Sequence, residues 1–279
     1  MTGTHVLKRI QAQPASDGAG VKITRVSPTG HTLFIDPFLM LDEIKSDEAS
    51  DYMAGFPPHP HRGFETITYL RQGKLDHEDH MGNKGSVDSG GAQWMTAGKG
   101  VIHSEMPQQQ DDGFHGFQLW LNLPASEKMR TPEYRDIGAA EIPHLNINSH
   151  HVVILAGQLT NKDNPVQGPI GNRATTPYLL DIEFGDHTAL TLNLPKDLNL
   201  LLYPYEGDVQ VGNETLRQNT MGQIYNDGSI VLQANKNHKA LLLGGTPLQE
   251  PVVQHGPFVM NSREQIEQAI FDYQRGELA

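Results

Sequence analysis

Two short pairs with identical spacing constrain this chain more than anything else in it: His59-Pro-His61 and His103-Ser-Glu105. Residues two apart on a β-strand point to the same face of the sheet. Each pair can therefore aim two ligating side chains into one space. Two such strands facing each other inside a barrel would gather three imidazoles and one carboxylate around a point. That donor set suits a first-row transition ion such as iron, manganese, cobalt, nickel or copper. Glycines at 55, 63, 98 and 100 flank the pairs, where a small barrel needs tight corners. With 14 histidines in the chain, one close pair could arise by chance; two pairs in one glycine-bounded frame are a much stronger signal.

The rest of the chain reads as strands joined by turns. Residues 21–26 and 31–35 alternate apolar and polar and are predicted to begin the first barrel, as are 64–70, 74–79, 92–96 and 114–123. The segment 81–85 carries turn chemistry. A proline-bearing stretch around Thr131-Pro132 and Glu141-Ile-Pro143 is the expected connection between two halves, and 160–176 is expected to be an exposed loop. Strand signals resume at 152–155, 178–184, 188–194, 199–203, 207–211, 229–232 and 240–243. The end of the chain changes period. Ser262 with Gln265 three residues later has the form of a capping box, and Ile266, Ala269, Ile270 and Tyr273 make one stripe at helical spacing. A helix over about 262–275, docked against a barrel, is predicted. The expected class is all-β, two jelly-roll-like barrels with a C-terminal helix, divided as 1–138 and 139–279.

Composition excludes several functions. At 279 residues there is room for two domains. A net charge of −12 disfavours direct nucleic-acid binding, because an acidic surface repels phosphates. The absence of cysteine removes disulfides, zinc-thiolate sites and thiol nucleophiles together. No apolar run approaches ~18 residues and the N-terminus lacks a signal-peptide core, so no membrane span is expected and a cytoplasmic location is the default.

The stretches HPHRGFETITYL at 59–70, MTAGKGVIHSEMP at 95–107, FQLWLNLPASEKM at 117–129 and QHGPFVMNSREQI at 254–266 resemble the pirin family, in the same order and across most of the chain. The resemblance implies a bicupin: two β-barrels facing each other, with one metal ion, iron, in the N-terminal barrel only. It places the ligands at His59, His61, His103 and Glu105. It also implies a quercetin 2,3-dioxygenase activity, in which dioxygen opens a flavonol ring and carbon monoxide is released. The flavonol would bind through its 3-hydroxyl and Glu105 would take the proton. Manganese, cobalt, nickel or copper would also suit the site. The alternative implied by the family is an iron-dependent, redox-sensing protein that binds and modulates transcription factors or metabolic enzymes. The family's usual form is a monomer.

Other candidates carry blander expectations. Glu65 has the parity of His59 and His61 and is the usual ligand position of cupins at large. The resemblance favours Glu105 and gives Glu65 a supporting role. His77 and His80 read as a solvated strand end, and His115 as structural. His150, His151, His187, His238 and His255 have no partner at ligand spacing. Arg62 is expected to pair with an acid or to line the cavity mouth. Phe56, Phe64, Trp94, Met95, Met106 and Trp120 read as core, with one or two free to line an apolar cavity for a flat aromatic ligand.

Overall fold

The structure is a computed structural model and describes residues 3–26, 35–161, 164–171, 174–186 and 189–279. Strands build it in two similar halves. In the first, a seven-stranded sheet has the order Glu133–Ile137, Ala92–Thr96, Phe64–Gln72, Phe114–Asn122, Phe38–Ser46, Val21–Val26, Gln13–Asp17. Facing it is a four-stranded sheet ordered Phe56–His61, Val101–Gln108, Lys74–Asp79, Lys84–Asp88. The second half repeats the plan. A seven-stranded sheet runs from Val6–Gln11 through Thr220–Ile224, Asn199–Glu206, Lys239–Gly245, Tyr178–Glu183 and His150–Ala156 to His144–Ile147. A four-stranded sheet of Leu190–Asn193, Ser229–Ala234, Val209–Val211 and Glu214–Leu216 covers it. Each half is a cupin-type barrel of two packed antiparallel sheets.

Strand alternation assigns each face. In Phe64–Gln72 the odd residues Ile67 and Tyr69 face outward, and in Phe114–Asn122 so do Phe117 and Leu119. They join Tyr203, Leu241, Leu243 and Val153 of the second large sheet in one buried cluster. The two barrels are thus fused through their large sheets. Buried acids are satisfied across this join. Glu43 accepts from the Tyr203 hydroxyl at 2.8 Å and pairs with His115 Nε2 at 2.9 Å. Asp181 accepts from Tyr69 and Tyr205 and pairs with Arg71. His115 therefore serves the join between the barrels, facing away from the candidate ligands.

Several expectations change. Val6–Gln11 pairs with Thr220–Ile224 of the second sheet, so the chain begins in the second barrel before entering the first. Alternation identifies a strand but is silent about a partner more than 200 residues away. The expected division at 138/139 is crossed at the other end too. The helix Arg263–Gln274 and the hairpin before it pack on the first barrel, with Ile102 against Phe258, Met260 and Ile266. Its cap is as expected: Ser262 Oγ accepts from Gln265 N, and Gln265 Oε1 accepts from Ser262 N. The stretch read as the loop 160–176 holds part of a two-stranded ribbon, Gln158–Asn161 with Asn164–Gln167. Of the earlier readings, residues 31–34 and His187 lie outside the described residues.

Candidate metal centre

The two histidine-bearing strands are neighbours in one sheet. His59 is the cross-strand partner of His103, and His61 of Val101. The ligand pairs therefore lie side by side on one wall of the barrel, rather than on facing strands. The i, i+2 spacing sets each pair on one strand face; which strands pair depends on contacts outside it. Direct antiparallel partners have Cβ atoms ~5 Å apart, which suffices to converge imidazoles.

One ring nitrogen from each of His59, His61 and His103 lies within 4.8 Å of the others, and the Nε2 atoms of His59 and His61 are 3.0 Å apart. His59 Nδ1 is 2.9 Å from the Pro57 carbonyl, which orients the ring. The edges of Phe64 and Trp120 confine His61, with ring centroids at 5.1 Å and 5.2 Å. His61 and His103 are buried, and burial drives both below the ordinary imidazole range, His103 to about 4. Both rings are neutral at pH 7, the state that a metal requires. Both nitrogens of His103 are buried without a hydrogen-bond partner. An imidazole gives an ion one nitrogen, and a buried orphaned nitrogen is costly unless something engages it, so His103 together with the convergent rings of His59 and His61 fits a bound metal.

Glu105 is 1% exposed and lies beside this group, its Oε2 4.0 Å from His103 Nε2. The pairing slips between His103 and Glu105: the segment Phe56–His59 carries one more residue than its partner, a bulge at Pro57 and Pro58, which cannot donate to the ladder. Gln118 Nε2 donates to both Glu105 oxygens at 3.0 Å, and Thr68 Oγ1 approaches Oε1 at 3.4 Å. Glu65 points the other way. The chain turns at Gly63, φ +90°, to enter a different sheet, which breaks the parity carried over from His61. Glu65 shares the parity of Ile67 and Tyr69, and its Oε1 accepts from Thr96 Oγ1 at 2.7 Å.

Above the histidines lies a cavity of about 600 Å³. Met40, Phe56 and Trp120 give it apolar walls, and Gln118 and Arg25 give it polar heads. The C-terminal segment supplies Gln254, Gly256 and Pro257. That segment is pinned down by backbone bonds from Arg62 N to Pro257 O and from Val259 N to Arg62 O. Buried Lys128 adds bonds to Gly63 O, Asn122 Oδ1 and Val259 O. A side chain on Gly63 would collide with Val259 O, so the close approach requires glycine. Arg62 itself pairs with Asp272 of the helix at 2.7 Å.

His77 corrects an expectation. It is buried, 3.0 Å from Asp136, and stacked near Tyr134, so the solvated reading holds only for exposed His80. His151, read as isolated, lies 3.0 Å from His144. Sequence reasoning missed Gln118, Thr68 and Lys128 as supports. All three sit inside the resembling stretches 59–70 and 117–129, which were the available signal.

Comparison with known proteins agrees with the geometry. A pirin family model matches residues 20–121, and a model of the pirin C-terminal cupin domain matches 179–279. A Pseudomonas aeruginosa protein named as a candidate quercetin 2,3-dioxygenase is 44% identical, covering 98% of each chain. Human pirin is 36% identical over 96% of this chain and 91% of its own. The crystal structure of an Acinetobacter baumannii quercetin 2,3-dioxygenase superposes with a TM-score of 0.87 at 32% identity, covering 100% of this chain and 99% of that one. No helix among the described residues is long and apolar enough to cross a membrane. The chain belongs to the pirin family, built as two cupin barrels.

Proposed function

We propose that this protein is a metal-dependent dioxygenase that opens quercetin-type flavonols. His59, His61, His103 and Glu105 hold the ion, and iron is the expected metal. The observation that carries the reading is three convergent imidazoles, His61 and His103 buried and His59 half-buried, with His59 and His61 lining an apolar-walled cavity and a buried carboxylate beside them. The names of the relatives at 44% and 32% identity support the substrate class. A bound transition ion would supply the redox chemistry with dioxygen. The chain's own groups do the rest. Met40, Phe56 and Trp120 flank a flat ring and exclude water from it. Glu105 Oε2, the oxygen nearer His103, accepts the proton of the flavonol 3-hydroxyl. Gln118, bonded to both oxygens, and Thr68, near Oε1, hold the carboxylate in place.

The test is oxygen uptake by purified, metal-loaded protein with quercetin, run with iron, manganese, cobalt, nickel and copper in turn. Uptake with loss of the flavonol absorbance and release of carbon monoxide is the expected result. No uptake with any metal ends the enzyme reading and leaves the redox-sensing, protein-binding role in its place.

A further inference from the structure

Gln118 stands where the cavity meets the buried carboxylate. It lies on the strand Phe114–Asn122, whose backbone is paired on both sides, Gln118 itself with Asp42 and Thr68. The opposite face of that strand is locked into the join between barrels through Phe117 and Leu119. Its backbone is accordingly a rigid platform. Trp120, two residues along, shares its face and lines the same cavity.

The chemistry of the amide fixes its direction. An ionised carboxylate only accepts, so Gln118 must turn its NH2 group to Glu105, and the 3.0 Å contacts run from Nε2 to both oxygens. The amide oxygen Oε1 is then left for the cavity that Gln118 lines. Two ligand atoms about 2.1 Å from one ion lie at most about 4.2 Å apart. Glu105 Oε2, 4.0 Å from His103 Nε2, is already inside that limit for this partner. The grip of Gln118 on both carboxylate oxygens therefore sets where Oε2 points.

We propose that Gln118 is a positioning residue that couples ligand to carboxylate: its NH2 group aims Glu105 at the histidines, and its Oε1 accepts from a hydroxyl of a flat, polyhydroxylated aromatic ligand in the cavity. The proposal rests on the reading of the cavity as a flavonol site. One amide thereby registers the ligand and orients the group that takes its proton. A ligand lacking a hydroxyl at that edge leaves Oε1 desolvated and unpaired, which selects against it.

The experiment measures two affinities without turnover: Ni²⁺ by competition titration, and quercetin by fluorescence quenching of metal-free protein. Gln118→Leu keeps the bulk and removes both hydrogen-bonding ends. It is expected to weaken Ni²⁺ binding by about 10–100-fold and quercetin binding by about 10-fold. The metal-free melting temperature should stay within a few degrees of wild type. Thr68→Val removes the other contact to Glu105 without reaching the cavity. It should weaken Ni²⁺ binding to a lesser degree and leave quercetin within about twofold. If Gln118→Leu fails to fold, Gln118→Asn, one methylene shorter, must give the same two losses. Ni²⁺ affinity unchanged in these variants overturns the hold on Glu105. Quercetin affinity unchanged in them overturns the contact to ligand. Wild-type protein that binds no quercetin overturns that contact together with the flavonol reading, while the Ni²⁺ arm still judges the hold on Glu105 separately.

Discussion

At the scale of single residues, Glu105 and Glu65 separate in position where spacing alone left both open. Glu105 faces the imidazoles, whereas Glu65 lies on the opposite face, bonded to Thr96. With Glu105 in its proposed role, Glu105→Gln keeps size and a weak oxygen ligand but removes the base. It should retain appreciable metal and lose roughly 10²–10⁴-fold in quercetin turnover. Glu65→Gln should lose far less, and reversed effects would return the site to the common cupin pattern. His59→Ala, His61→Ala and His103→Ala should each strip most of the metal while circular dichroism stays native, because apolar strand faces make the core. A wholly unfolded variant would make the ion structural. Lys128 offers a pH test. Burial pushes its ammonium down to about 7 from the ordinary 10.5. Between those values the unfolded chain binds more protons than the folded one, so this residue's contribution to stability rises with pH. Melting temperatures from pH 7 to 10 should shift in favour of wild type relative to Lys128→Met, and parallel curves would refute the depressed value.

At the scale of elements, the C-terminal hairpin and helix matter most, because they wall the cavity from a distance of about 200 residues in sequence. The helix was legible: a capping box and an apolar stripe mark it, and Ile266 and Ala269 are its buried face. Its destination was not legible, since a stripe specifies an apolar partner without naming one. Arg62 holds it in place through Asp272. Asp272→Asn removes the charge from a partly buried pair and should cost about 1–3 kcal/mol of local stability. Amide exchange in Arg263–Gln274 should accelerate by at least tenfold, and quercetin KM should rise as the wall formed by Gln254 and Pro257 loosens. Unchanged exchange would mean that Lys128 and the backbone bonds at Arg62 hold the segment alone.

At the scale of the whole molecule, the chain crosses between barrels at both ends. Removal of residues 1–11 would strip the edge strand Val6–Gln11 and leave Thr220–Ile224 as an exposed edge. A fall in melting temperature with aggregation is expected, and an unchanged melting curve would show the strand to be dispensable. Elemental analysis of the full chain should find close to one metal equivalent, since among the described residues the histidine triad lies in the first barrel and the second is packed with Leu, Ile and Val. Two equivalents would contradict this. By itself the sequence determined what short range can carry: strand and helix periods, the cap at Ser262, and two i, i+2 pairs that must each share a face. Tertiary structure decided everything that depends on which distant backbone pairs with which. It set His59 beside His103, and it turned Glu65 away at Gly63. It brought Gln118 against Glu105 and carried the first strand into the second barrel. Hydrogen-bond ladders and apolar packing between remote segments settle such choices, and local alternation is compatible with many of them.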